Sequence, residues 1–243
     1  MHWSFLGHAH WFDPTNPYAP LNWYNFIGAL GCFAWMAAYV LILRRAHRDK
    51  AYGMPLLALC LNITWEGVAF MSPNPVTLWK YIEGIWLFID VALLWQLWKY
   101  GRDEALPGSL KAFFLPLVIG TLVLCAIFHW TWLKFWDDKL LFVDAFIINL
   151  VMSVMFIQLW FRRLPDGKGL SISAAWCKMI GTALTSIQCG VFLPLVMGET
   201  SFRESWAFAW FLYGTIFVID CLYLYLLYHG RALLRRANAQ EIS

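Results

Sequence analysis

Residues 206–228 read WAFAWFLYGTIFVIDCLYLYLLY, an unbroken apolar run whose single ionisable carboxylate is Asp220. A run of that length crosses about 30 Å of hydrocarbon as one α-helix. An acid at such depth costs on the order of 2.5–3.5 kcal/mol on insertion scales, so it is rare there and usually functional. Residues 56–70, LLALCLNITWEGVAF, repeat the pattern with Glu66. The two stretches predict an all-α membrane protein with acid–base groups in its interior.

The rest of the chain fits that reading. Of its 243 residues, 61% are hydrophobic and only 14% charged, where a soluble domain is nearer a quarter charged. The charges cluster between apolar runs, which fall at Trp23–Leu43, Pro55–Met71, Trp79–Leu97, Phe113–Leu133, Leu140–Phe161, Ser173–Met197 and Trp206–Tyr228. The fold expected is a single seven-helix bundle over residues 1–243. Fourteen of the 18 Lys and Arg residues lie in the first, third and fifth connections, just inside the sixth span (Lys178) or in the tail. This bias puts the C-terminus in the cytoplasm and the N-terminus outside. Seven spans satisfy that arrangement.

Several function classes fall away. The net charge of +3 is a topology signal and not a nucleic-acid footprint. The six cysteines all lie within the spans, form no CxxC pair and read as small packing residues. Residues 1–22 lack the basic and apolar regions of a cleavable signal peptide and read as an aromatic, Pro-rich outer segment. His2, His8, His10 and Asp13 match no metal-ligand spacing. Asp137 and Asp138 read as solvated loop charges. Tryptophans at span ends, Trp160 among them, suggest an interfacial belt, whereas Trp35, Trp65 and Trp86 lie deeper. Pro73 and Pro75 stop the second span, and Pro116 and Pro194 are expected to kink the fourth and sixth helices. No internal repeat is evident.

At 1.5 Å per residue, Glu66, Asp220 and Asp90 lie about 16, 12 and 11 Å from the inner ends of their helices. They are expected to share one layer and to converge on one cavity. Helical spacing groups Asn62, Glu66 and Phe70 on the second helix, Glu83, Trp86 and Asp90 on the third, and Tyr213, Phe217, Asp220 and Tyr223 on the seventh. A desolvated carboxylic acid keeps its proton at neutral pH and can donate it. Aromatic faces stabilise a developing cation. Acid and aromatics together suit protonation of an alkene or epoxide and control of the carbocation. The plainer alternatives are interhelical hydrogen bonds for the acids and packing or lipid contact for the aromatics. Glu83, His129 and Asp144 read as a polar rim, gate or proton path, or as interfacial residues. Asn149, Gln158 and Gln188 are open between helix glue and substrate contact. Lys178 is placed near the cytoplasmic end, within snorkelling reach.

The stretch 48–70, RDKAYGMPLLALCLNITWEGVAF, with Tyr52-Gly53-Met54, Leu59-Cys60, Asn62 and Trp65-Glu66, resembles the second-helix region of the integral-membrane terpene cyclases of fungal and bacterial meroterpenoid pathways. Asp220 followed by Tyr223 in a long apolar helix resembles the family's last helix. The resemblance implies that Glu66 and Asp220 are essential. It also implies protonation of a terminal epoxide or alkene on a prenyl chain carried by an aromatic or indole-like head. Asp90 and Glu83 lie outside the matching motif. Asp90 joins the catalytic set from its depth. Asn62, Trp65, Phe70, Glu83, Trp86, Tyr213, Phe217 and Tyr223 are the expected substrate contacts. No metal or redox cofactor is implied, and no DDxxD-type motif is present. The expected partners are the prenylated substrate and the lipid bilayer, with no nucleic acid and no protein partner indicated. The membrane would be the plasma membrane in a bacterium or the endoplasmic reticulum in a fungus, and the poorer match of the middle helices to fungal members points to a bacterial source.

The main rival is a proton-coupled transporter of a hydrophobic metabolite, since mid-membrane carboxylates also serve relays. It lacks inverted repeats and paired broken helices. A retinal receptor would need a buried lysine in the seventh helix, which has none. A scaffold predicts that neutralising Glu66 or Asp220 changes stability alone.

Overall fold

In hydrocarbon a chain must satisfy its own backbone N–H and C=O groups, so each apolar run folds as a helix. The computed structural model describes residues 22–72, 77–106, 108–136, 138, 141–192 and 206–241. Among these are α1 (Trp23–Asp49), α2 (Leu56–Met71), α3 (Thr77–Ala105), α4 (Phe114–Phe135), α5 (Phe142–Arg162), α6 (Ile172–Ile187) and α7 (Trp206–Glu241). A 3₁₀ turn, Gly108–Phe113, leads into α4, and a π-helical turn, Gln188–Phe192, continues α6. Over the described residues, each expected span falls on one helix, the sixth as far as Phe192 with its π-helical turn. Five helices, α1, α3, α4, α5 and α7, are long and apolar enough to cross a membrane. The 16-residue α2 rises only about 24 Å. The outer segment with His2, His8, His10 and Asp13, the stop at Pro73 and Pro75, Asp137 and Pro194 lie outside the described residues.

Helix neighbours define a ring. α1 packs on α6 and α3, α3 on α2, α2 on α5, α5 on α7, and α7 on α6. α4 stands outside this ring against α2. Its position shows in its burial: 17% of its most apolar stretch is buried, against 39% or more in the other four long helices. The tightest seam is α1–α6. A Cβ on Gly31 would lie 2.9 Å from the Gly181 carbonyl oxygen, and one on Gly181 would lie 2.8 Å from that of Gly31. Only glycine lets the two backbones approach this closely.

The basic connections meet at one end of the bundle. Asp49 accepts the Gly169 N–H at 2.8 Å, and Arg163 bonds Glu104 at 2.6 Å while lying over the Tyr52 ring. At the other end Lys80 donates to the Ala69, Phe70 and Ser72 carbonyls that end α2. A lysine there satisfies orphan acceptors and suits the negative end of the helix dipole.

Three expectations change. Pro116 lies in the first turn of α4, where its missing N–H interrupts no ladder and produces no mid-helix kink. Trp160 is buried and fills the space over Gly230 instead of joining an outer belt. Asp138 is not a solvated charge. It is buried and accepts from Trp132 Nε1 at 3.1 Å and from the Phe142 and Asp144 N–H groups at 2.9 and 3.0 Å. It thereby caps the start of α5 as a carboxylate cap does.

Candidate active site

The interior face of α2 carries Leu59, Asn62, Glu66 and Ala69, all buried. Asn62 is the hub. Its Nδ2 donates toward Tyr39 Oη at 2.8 Å, Glu66 Oε1 at 2.9 Å and Asp90 Oδ2 at 2.7 Å. One amide nitrogen has two hydrogens, so these three neighbours share them. Glu66 Oε1 and Asp90 Oδ2 are thus gathered on one nitrogen at the junction of α1, α2 and α3. Two carboxyl groups brought this close suit the sharing of one proton. Glu66 Oε2 and Asp90 Oδ1 are buried without any hydrogen-bond partner.

Glu66 opens on a cavity of about 90 Å³ inside the helix ring. Trp35, Tyr39, Trp65, Trp86, Phe142 and Phe146 supply its aromatic wall, and Asn62, Asn149 and Thr185 its other polar groups. Trp65 is held in place by donating Nε1–H to the Leu141 carbonyl at 3.1 Å. Leu141 adopts a left-handed φ of 55°, a costly conformation for a branched side chain. The Asp138 carbonyl fixes it by accepting the Leu141 N–H at 2.9 Å. Trp86 Nε1 is buried without a partner. The cavity is smaller than the ~150 Å³ that admits benzene, so a larger ligand needs wall side chains to turn aside.

Of the three acids expected to converge on one cavity, only Glu66 lines it, and Asp90 joins Glu66 through Asn62. Asp220 does not line this cavity. Both of its oxygens accept from Lys178 Nζ at 2.8 Å, and the third Lys178 N–H goes to Ser153 Oγ at 2.7 Å. All three ammonium donors are thus used. Lys178 is 4% exposed and lies 5.4 Å over the Trp35 ring, so it does not snorkel. Its depth is set by an acid waiting for it on α7, which counting from a span end does not reveal.

Of the remaining expected contacts, Trp65 and Trp86 line the cavity and Asn62 organises it. Glu83 is buried. Tyr213 is buried against Phe146, and Tyr223 against Phe156. Phe70 and Phe217 do not belong. Both are about half exposed, at 45% and 49%. Eight residues past Asn62, two four-residue steps overshoot a full turn count by about 80°, which carries Phe70 to the outside. Phe217 follows the fully buried Ile216 and points about 100° away from it.

His129 and Asp144 are not rim residues. Both are fully buried and bond at 2.6 Å, while His129 Nε2 donates to the Leu61 carbonyl at 3.0 Å. That carbonyl only accepts, so the remaining proton lies between Nδ1 and Asp144. Their joint signal was a histidine and an acid at matching depth on consecutive helices. Gln188 is buried as interhelical glue, bonding Asn25 at 3.2 Å over Gly28, and Gln158 is exposed.

Comparison with known proteins adds family evidence. The model of "Pyr4-like transmembrane terpene cyclases" matches residues 12–232. Terpene cyclase ascF of Acremonium egyptiacum is 26% identical over 96% of this chain and 86% of its own length. Terpene cyclase macJ of Penicillium terrestre is 26% identical over 80% of this chain and 74% of its own. Pyr4-family terpene cyclase mfmH of Annulohypoxylon moriforme reaches 35% identity, over 43% of this chain and 44% of its own length. No solved structure matches the chain.

Proposed function

The chain belongs to the Pyr4-like transmembrane terpene cyclases, and on that premise we propose that it cyclises a prenylated aromatic or indole-type molecule by protonating the terminal epoxide or alkene of the prenyl chain. The observation that carries this reading is the pair of buried carboxyl groups, Glu66 and Asp90, gathered on Asn62, with Glu66 facing an aromatic cavity. The acid proton goes to the epoxide oxygen or the alkene carbon. The C–O or π bond opens to a cation, successive alkenes attack it, and the last cation loses a proton. One proton enters and one leaves, so substrate and product are isomers.

Asp90 and Asn62 hold the proton at Glu66 until substrate arrives. The unpartnered Trp86 N–H suits an oxygen at the reacting end. The faces of Trp35, Trp65 and Trp86 shield the migrating charge. Asp220 acts differently: a carboxylate accepting two bonds from an ammonium is no proton donor. Its role is to fix Lys178, and through it α5, α6 and α7, behind the cavity wall. The reading includes seven membrane crossings with the N-terminus outside and the C-terminus cytoplasmic. Gathering of the first, third and fifth connections at one end of the bundle supports it.

Detergent-purified protein incubated with prenylated phenols and indoles, with and without a terminal epoxide, tests the reading by mass spectrometry. A new chromatographic peak of unchanged mass is expected. Transport of a panel member across proteoliposomes, with no conversion of any, contradicts it and favours the transporter.

A further inference from the structure

Asn149 is 7% exposed and lines the cavity across from the carboxyl pair's helix. Nδ2 donates to Thr182 Oγ1 at 3.0 Å, which ties the amide to α6, and the backbone carbonyl accepts the Ser153 hydroxyl at 3.0 Å. Oδ1 is left buried with no partner. An orphaned acceptor in an apolar pocket is costly, whereas leucine has nearly the same shape and no such cost. Two other unpartnered atoms of cavity residues, Glu66 Oε2 and Trp86 Nε1, are accounted for by the reacting end of the substrate. Asn149 Oδ1 is not, because an amide oxygen has no hydrogen to offer an epoxide oxygen or an alkene.

We propose that Asn149 Oδ1 accepts a hydrogen bond from an O–H or N–H of the bound molecule, so that the protein selects a free hydroxyl or ring N–H over its methylated form. This rests on the cyclase reading for the kind of molecule and adds the feature by which it is chosen. Thr182 holds the amide plane, and Asn149 is the specificity residue.

Binding tests this without turnover. Three tryptophans line the cavity, so a ligand there changes the intrinsic fluorescence of the detergent-purified full chain. The probes are a farnesylated phenol and its O-methyl ether. Wild type is expected to bind the phenol about tenfold more tightly or better, and a folded Asn149→Leu variant to bind both alike. Equal affinities in wild type, or an unchanged preference in Asn149→Leu, overturn the proposal. Should Asn149→Leu not fold, Thr182→Val releases the amide, and the preference is expected to fall, whereas a preference equal to that of wild type overturns the proposal. Isomerisation is measured separately. Preference without isomerisation contradicts the cyclase reading instead.

Discussion

At the scale of single residues, the acids differ in what their neighbours allow. Glu66 and Asp90 meet at Asn62, whereas Asp220 is held by a lysine. Substituting Asp90→Asn is expected to slow conversion at least ~10-fold while leaving substrate binding nearly unchanged, because it removes a partner that acts on the proton and not on the substrate. Separate kcat and KM values check this. Lys178→Met alone leaves a buried carboxylate and is expected to destabilise by about 3–5 kcal/mol. The double change Lys178→Met with Asp220→Leu removes both charges and is expected to recover most of that loss, read as thermal midpoints in detergent. Sequence made the acids legible because charge in apolar runs stands out. It did not make their pairing legible: the Lys178 partner of Asp220 lies 42 residues away, and nothing local marks it. Phe70 and Phe217 were misplaced because four-residue steps drift off a 3.6-residue helix.

At the scale of elements, the helices follow directly from the apolar runs, and the seams between them depend on glycine and caps. Gly181→Leu is expected to push α1 from α6 and to cost about 1–3 kcal/mol of stability. Gly120→Leu, where a Cβ meets nothing within 4 Å, is expected to be tolerated. The two thermal midpoints form the comparison. Asp138→Ala removes acceptors for two N–H groups at the start of α5 and is expected to cost about 0.5–2 kcal/mol. Because the Asp138 carboxylate also accepts from Trp132 Nε1, the same change is expected to alter the tryptophan emission spectrum. The cap was not legible: an Asp-Asp pair between two apolar runs reads equally well as solvated charge. The π-helical turn after Ile187 likewise has no periodic signature short enough to detect.

For the whole molecule, the ring of six helices with α4 outside is what creates an interior cavity with Glu66 on one wall and Asn149 on another. Apolar runs mark where the described helices lie, but not which ones touch, so ring order and α4's place outside it were not legible. The end at which the basic connections gather was legible, because Lys and Arg follow the side of the membrane and not the packing. The measurement that tests the central claim most directly is the rate of isomerisation by purified wild type and by folded Glu66→Gln on one substrate that wild type converts. The glutamine keeps the shape and the Asn62 contact but has no acidic proton, so the rate is expected to fall ~10²–10⁴-fold. A variant that converts the substrate at the wild-type rate would contradict the assignment of Glu66 as the proton donor.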